Sequence, residues 1–460
     1  MLDWLGPYWA GVASAFGLMF AVEMTLAWRR SRSTADAAVV QSTARATPEI
    51  PASTPVAGLY AHFAIRRLNK RADSLELVAL TRSVHRAYVL SHWRPDGTDQ
   101  ERIRLDAIHV DGLPDVEFGQ GTVGFTSFTL PGGRRAQAQR LTVLTDGGVL
   151  VVGSSFDDRT RTSTGFLAKI DASGSLDANF GASGIVIFPG SNVLSYAQDA
   201  VQIDGYIFCV GCEFESSILK VFKFTTTGKF VDVKEVVISD KGMVWPSRIR
   251  RTFPEGGFLV IGRTTSSEPA TMDGFIAKLD SSAALVGDFG QHGIVVLGQA
   301  FALPTVHQVL DLAVLPTGST LVAGTGNEGF IVGLDPTGKP LASFGRFGLY
   351  EAQATYRTTA TSFSYSSGLD AICLGGTESD GNSINRPFLT LLDTKGQKLL
   401  PDDADPVVVA LDAPSYRTEH LLLENGCVLA VMQEGPLSLG RRGVSIGILP
   451  AMEKSVRRNY

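Results

Sequence analysis

Short apolar runs alternate with glycine-containing polar turns along most of the chain. After residue 58, such a turn repeatedly leads into an apolar strand that ends on a small residue. The sharpest copies end at Gly153, Gly211, Gly262 and Gly324, and the other copies that we align end at Ser91, Gly375 and Met432. A spacing of about 51 to 62 residues between such copies is typical of a repeat architecture. The pattern therefore predicts seven units.

A second pattern follows in most units, in which two apolar strands flank a tight turn. The turns run over residues 171–174, 335–338 and 393–396, and each begins with aspartate and ends with glycine. Aspartate at the first position accepts hydrogen bonds from the turn backbone, and glycine tolerates a positive φ. A calcium site would need several oxygen ligands in one short loop, so we interpret these aspartates as turn residues and predict no metal site.

Each unit thus contains about four short strands. Four-stranded units of this length, repeated radially, are typical of an all-β fold, the β-propeller, and seven copies lie within its usual range. We predict a seven-bladed β-propeller of four-stranded blades over residues 58–460. Residues 62–80 resemble half a unit, so we expect amino-terminal strands to complete the final blade and close the ring.

The units also carry a Leu-Asp…Phe-Gly signature, as in residues 176–181. With the glycine turn and the apolar strand, this signature resembles the bacterial repeat often called delta-sixty. The resemblance covers residues 58–460 and is sharpest in the units that end near residues 188, 297 and 352. It implies a propeller-like fold and no established chemistry.

The amino terminus carries a different pattern, an apolar run followed by basic residues. Residues 4–22 contain no charge, and Arg29, Arg30 and Arg32 follow. This pattern predicts one transmembrane helix in residues 1–32, with residues 4–28 in the membrane, and a linker at 33–57. A cleaved signal peptide and a later start at Met24 are the alternatives. The arginines predict a single-pass protein with its body in the cytoplasm, while an exported body stays open.

Residues 5–32, LGPYWAGVASAFGLMFAVEMTLAWRRSR, are similar to the one-helix haem-exporter subunit of bacterial cytochrome c maturation. The similarity lies in an aromatic-glycine pattern within the helix and a basic run at its end. It implies an accessory role in haem export as an alternative function.

Composition narrows the function classes. The chain has 460 residues, of which 44% are hydrophobic, and its 41 Lys and Arg residues nearly balance 46 Asp and Glu residues. A basic excess that would neutralise nucleic-acid phosphates is therefore missing, and we predict no nucleic-acid partner. Four cysteines are too few for a disulfide framework, so we interpret them as free thiols.

The strings that match cofactor or metal motifs lack the sequence context that those functions need. Residues 324–329 match G-x-G-x-x-G, but an apolar strand follows where dinucleotide binding needs a helix. Cys209 and Cys212 form a C-x-x-C without a second pair for zinc; Cys209, like Cys373, fits a buried strand position, and Cys212 lies just past a strand. The sequence contains no H-E-x-x-H. We therefore predict no catalytic residue and no cofactor.

Loops of unequal length follow the repeated apolar strands, and equivalent loops of successive blades emerge on one face. Loops on a rigid scaffold commonly carry binding. We predict a non-catalytic interaction scaffold that binds a protein or a glycan on this face, through Trp93, Arg94, Arg159, Arg161, Arg263 and Arg386. The alternative is a hydrolase, lyase or oxidoreductase with its site in the central channel.

Overall fold

The structure is a computed structural model that describes residues 66–68 and, with short gaps, 73–449. The gaps are residues 84, 99, 110, 120–123, 190–194, 214–215, 240–241, 254–255, 266–271, 304–305, 353–356, 380–384, 400–406, 409–414, 424–426 and 435–442. The predicted membrane segment and the linker lie outside the described residues. Within those residues, none of the helices has the length and apolar character to cross a bilayer.

The described residues form seven four-stranded antiparallel sheets, which confirms the all-β, seven-bladed propeller. Numbered along the chain, the strands of blades 1 to 4 are β2 Ser74–Arg82, β3 Arg86–Arg94, β4 Arg102–His109 and β5 Phe125–Phe128; β6 Arg135–Val143, β7 Val149–Asp157, β8 Thr162–Ile170 and β9 Ile185–Ile187; β10 Ser195–Ile203, β11 Tyr206–Glu213, β12 Ile218–Thr225 and β13 Phe230–Val237; and β14 Val244–Arg251, β15 Phe258–Thr265, β16 Met272–Leu279 and β17 Ile294–Val296.

Blades 5 to 7 follow the same order from the inner to the outer strand. Their strands are β18 Gln308–Val314, β19 Thr320–Thr325, β20 Gly329–Leu334 and β21 Leu349–Glu351; β22 Arg357–Ser366, β23 Ala371–Ser379, β24 Asn385–Asp393 and β25 Val407–Val408; and β26 Ser415–Leu422, β27 Val428–Glu434 and β28 Gly443–Leu449, with β1 Arg66–Arg67. A 3₁₀ turn at Pro131–Gly133 and a short helix, α1 Leu297–Phe301, lie in the connections between blades.

The last blade joins the two ends of the described chain. Strand β1 pairs antiparallel with β28, with Arg66 opposite Ile446 and Arg67 opposite Ser445. The predicted closure is therefore observed, but the predicted segment divides between two blades. Only β1 completes blade 7, whereas β2 is the inner strand of blade 1.

A β-bulge recurs in all seven inner strands and explains the repeated glycine. In blade 2 the bulge lies between Ala138 and Arg140, and Ala138 pairs with Gly153. A Cβ on Gly153 would overlap the carbonyl of Gln137, and equivalent overlaps occur at Gly211, Gly262 and Gly376. The bulge crowds the neighbouring strand, so glycine is favoured at this position.

This geometry corrects two of the sequence-derived unit ends. In blade 6, Gly376 pairs with Ala360 immediately before the bulge, so Gly376 replaces the predicted Gly375. In blade 7 the equivalent residue is Glu434 and not Met432. Two adjacent glycines in one unit and a missing glycine in the other concealed the true register.

The Phe-Gly signature fastens neighbouring blades together. Phe180, Phe289 and Phe344 are buried, and the glycine after each donates its N–H to a turn carbonyl of the following blade. The distances are 2.9 Å from Gly181 to Thr227, 2.8 Å from Gly290 to Thr337 and 2.7 Å from Gly345 to Lys395. Gly119 and Ser173 make the same bond at 2.8 Å between blades 1 and 2.

The aspartate turns take the predicted local role. Oδ1 of Asp335 accepts the N–H groups of Thr337 at 2.8 Å and Lys339 at 3.0 Å, and Asp171, Asp280 and Asp393 accept equivalent pairs.

The four cysteines are free thiols, and Cys209 and Cys373 are fully buried. Burial raises the pKa of Cys373 to about 12, so this thiol is unreactive near neutral pH.

Candidate binding site on the propeller axis

The inner strands of all seven blades surround a cavity of about 470 Å³ on the axis. The volume lies in the range of small-molecule sites, about 300–1,000 Å³. Charged side chains line it, and six of them come from five blades, namely Arg140, Asp199, Arg248, Arg250, Asp311 and Glu419. The bulge produces this lining, because Arg140, Asp199, Arg248 and Asp311 each stand directly after the bulge of their strand.

Arg250 bridges two carboxylates from different blades. Its Nη1 donates to Oδ2 of Asp199 at 2.7 Å, and its Nη2 lies 2.8 Å from the carboxylate of Asp311. Arg248 adds a bond from Nε to Oδ2 of Asp311 at 3.0 Å. Blades 3, 4 and 5 are therefore joined across the channel by one charged network.

Backbone groups complete the coordination of the two carboxylates. Asp199 accepts the N–H of Ile249 at 3.2 Å and of Ala200 at 2.9 Å, while Asp311 accepts the N–H of Leu312 at 2.8 Å. Burial raises the pKa of Asp199 to about 6, although Arg250 opposes the shift. Burial also acts to raise the pKa of Asp311, but the guanidinium groups of Arg250 and Arg248 outweigh it and hold that pKa below its usual value.

Two arginines of the cavity have a buried Nε without a hydrogen-bond partner among the described residues: Arg251, whose Nη2 donates to Asp204 at 3.1 Å, and Arg140. Nη1 of Arg140 donates to the Gln139 carbonyl at 2.7 Å. Arginines also outnumber carboxylates in the lining: Arg82 and Arg251 join the three already named, against Asp199, Asp311 and Glu419. The cavity thus carries an excess of positive charge and a guanidinium with an open donor.

The cavity opens toward the face that bears the tight turns. Each inner strand begins at the face that bears the loops predicted to bind a partner and ends at the face that bears the tight turns. The residues that line the cavity extend from the bulge to the strand ends at Arg82, Arg251 and Val314. Phe253, which is 60% exposed, lies beyond the end of β14, with the guanidinium of Arg251 4.8 Å from its ring. The predicted loop residues are at the opposite ends of their strands.

The structure distributes the sequence-predicted residues over four blades of the loop face. Arg159 and Arg161 lie exposed in the turn between β7 and β8, where the Arg159 N–H donates to Asp157 at 3.0 Å. Arg263 lies 5.1 Å from the Trp245 ring and donates to the His307 carbonyl at 3.4 Å. In β24, Arg386 pairs in register with Glu378.

Trp93 and Arg94 lie at the end of β3, beside a second depression. Trp93 contacts the Arg104 guanidinium, 5.6 Å from the ring, and its Nε1 is buried without a hydrogen-bond partner among the described residues. Arg94 lines a groove of about 400 Å³ between blades 1 and 2, together with Glu101, Arg134 and Arg135. Arg94 is thus the member of the predicted loop-face residues that lines this groove.

The axial charges were absent from the sequence-based prediction. In the sequence, these residues are marked by a charge inside an otherwise apolar inner strand. The charge stands at the same distance from the bulge in several units. Arg140, Asp199, Arg248 and Asp311 share that position. Aligning the inner strands, rather than the strands that end in glycine, would have identified them.

A buried histidine lies between blades 6 and 7. Nδ1 of His420 is 3.1 Å from Oγ of Ser362, and its Nε2 has no hydrogen-bond partner within the described part of the chain. Burial lowers the pKa of His420 to about 4. The ring is therefore neutral at physiological pH.

This burial predicts a pH-dependent loss of stability. Below pH 6.5 the unfolded chain binds a proton at His420 that the folded protein does not bind until about pH 4, so stability falls as the pH decreases through this window. We expect unfolding curves of the wild type and His420→Gln to differ by an amount that shrinks from pH 7 to pH 4. Parallel pH profiles would contradict this assignment.

The described residues contain no group of three or more His, Cys, Asp or Glu side chains placed to hold a metal ion. Asp199 and Asp311 do converge near the axis, as the enzyme alternative requires, but the same arginine engages both of them. This arrangement supplies binding groups for an anion and uses the carboxylates to position them.

No protein-family model and no curated protein matches the chain, so the resemblances to delta-sixty repeats and to the haem-exporter subunit stay predictions. Among solved structures, the chain is similar to the β-propeller domain of the Trilobed protease from Pyrococcus furiosus, at 8% identity, 82% coverage of this chain and 94% of that chain, with a TM-score of 0.41. Polysaccharide lyase Uly1 matches at 11% identity, 81% and 90% coverage and a TM-score of 0.44. A protein of unknown function from Bacteroides caccae matches at 12% identity, 68% and 92% coverage and a TM-score of 0.38.

Proposed function

We propose that the chain is a non-catalytic, membrane-tethered binding propeller whose axial cavity accepts an anionic group, a carboxylate or a phosphate, of its partner. The observation that carries the proposal is Arg140, whose buried Nε faces no acceptor among the described residues. An unpaired buried donor is costly, and an anion that accepts from it would remove that cost. The membrane tether rests on the amino-terminal sequence alone.

The charge balance of the cavity supports an anion over a cation. Arg250 and Arg248 already neutralise Asp199 and Asp311, so these two carboxylates are not available to bind a cation. Arginine is suited to carboxylates and phosphates because its planar donors match their oxygens. A protein side chain or an acidic glycan would present the same group to the cavity.

The groove between blades 1 and 2 is the second candidate. Arg94, Arg134 and Arg135 line it, but Asp157 lies 3.6 Å from Arg134 and Asp158 lies 2.7 Å from Arg135. Glu101 is hydrogen-bonded to His92 at 2.7 Å. These ion pairs satisfy much of the charge, so we place the groove after the cavity.

Calorimetric titration of the full chain tests the assignment. Galacturonate and glucose 6-phosphate serve as anionic probes, and glucose serves as the neutral control. We expect the anions alone to bind and Arg140→Met to weaken them at least tenfold, because a charge-assisted hydrogen bond contributes about 1.5–3 kcal/mol. Arg346→Met, at an exposed arginine of blade 5, is the matched control and should bind like the wild type.

Two outcomes would overturn the axial assignment. Equal binding by Arg140→Met and the wild type excludes the cavity, and a loss confined to Arg94→Met moves the site to the groove. Binding of glucose as tight as the anions would contradict the charge argument.

A further inference from the structure

The outer strand of blade 3 differs from those of the other blades. Strand β13 has eight residues, whereas β5 has four and the remaining outer strands have two or three. Short outer strands limit unwanted pairing at a sheet edge. Among the described residues, blade 3 therefore presents an extended edge that the other blades do not.

This edge is also unusually apolar. Val231 is 46% exposed and Val237 is 55% exposed, and Phe230, Val233 and the nearby Tyr206 are exposed as well. These five are a majority of the nine large apolar side chains that are exposed in the described part of the chain. Strand β13 pairs only with β12 within the described residues, so its outer backbone groups face outward.

We propose that β13 is an interface with a second copy of this chain, in which the two β13 strands pair antiparallel about a twofold axis at Val233. The charges of the strand favour this partner. Asp232 and Lys234 flank Val233, so the axis places each Asp232 opposite Lys234 of the other copy. Both side chains are about half exposed and lie 3.2 Å apart within one strand.

The charges also select the register. Residues opposite each other in an antiparallel pair point to the same face of the sheet. Under a twofold axis, the register between the two β13 strands can therefore change only in steps of two residues. A shift in one direction sets Asp232 against Asp232, and a shift in the other sets Lys234 against Lys234. A bulge at Val231, between the pairs of Lys223 with Asp232 and of Phe224 with Phe230, ends the regular stretch. The pairing is therefore centred on residues 232–234.

Sedimentation of the full chain over a range of concentrations tests the interface. We expect a concentration-dependent dimer, and we expect Asp232→Lys or Lys234→Asp alone to raise its dissociation constant at least tenfold, since each places like charges opposite each other twice. The double exchange, Asp232→Lys with Lys234→Asp, restores both opposite-charge pairs and should restore the dimer. Circular dichroism checks that each variant folds.

A chain that stays monomeric at every concentration overturns the proposal. So does a dimer that the single variants leave intact, because that dimer would use another surface. A dimer that the double exchange fails to restore would also contradict the register. The anion-binding experiment measures a different surface, so either proposal can fail while the other holds.

Discussion

Replacing Arg250 with methionine is expected to lower the free energy of unfolding by roughly 3 kcal/mol at pH 7. The substitution removes the bridge between blades 3 and 5 and leaves Asp199, whose side chain is only 2% exposed, without its counter-ion. Removing one partner of a buried ion pair typically costs about 3–5 kcal/mol, because the other charge stays buried. Urea unfolding monitored by circular dichroism measures the change.

Arg140→Met is the matched control for this prediction. It removes an arginine from the same cavity, but one whose Nε has no hydrogen-bond partner among the described residues. We expect a change of less than about 1 kcal/mol, since the lost contact is one bond to the Gln139 carbonyl. Equal losses in the two variants would show that the bridge has no special role in stability.

The second large effect is expected at Gly375, where alanine should cost about 2–3 kcal/mol. A Cβ at this position would overlap the ring of His420, which is buried and lies 3.1 Å from Oγ of Ser362. Overpacking of this kind typically costs about 1–3 kcal/mol. Thermal and urea unfolding of the variant measure the loss.

Two further variants separate this clash from a general loss of glycine. Gly287→Ala is the control, because its Cβ would meet no atom within 4 Å, and we expect it to leave stability nearly unchanged. His420→Ala removes the obstructing ring, so Gly375→Ala should cost much less in that background. Additive losses in the double variant would contradict the proposed contact.

The fold was accessible from the sequence because its signals are local. A bulge crowds the adjacent strand in every blade, and five units have glycine opposite it, at Gly153, Gly211, Gly262, Gly324 and Gly376, so the repeat is visible in the sequence. In blade 7, Glu434 occupies this position, and the predicted register was wrong by two residues.

The candidate site was less accessible because it depends on contacts between distant blades. Asp199 and Asp311 are separated by more than a hundred residues, and nothing local indicates that Arg250 contacts both. A charged residue in an inner strand has the same hydropathy as one that faces solvent. The long loops were visible in sequence, but the axial cavity lies toward the other face.

Closure of the ring has a consequence for how the chain folds. The Phe-Gly bonds join blades that are neighbours in sequence, so successive blades can assemble with short loops to close. The pairing of Arg66 with Ile446 instead joins residues roughly 380 apart, and its loop entropy is repaid only when the intervening blades are in place. We therefore expect blade 7 to be completed last, when β1 pairs with β28 and closes the stacked blades into a ring.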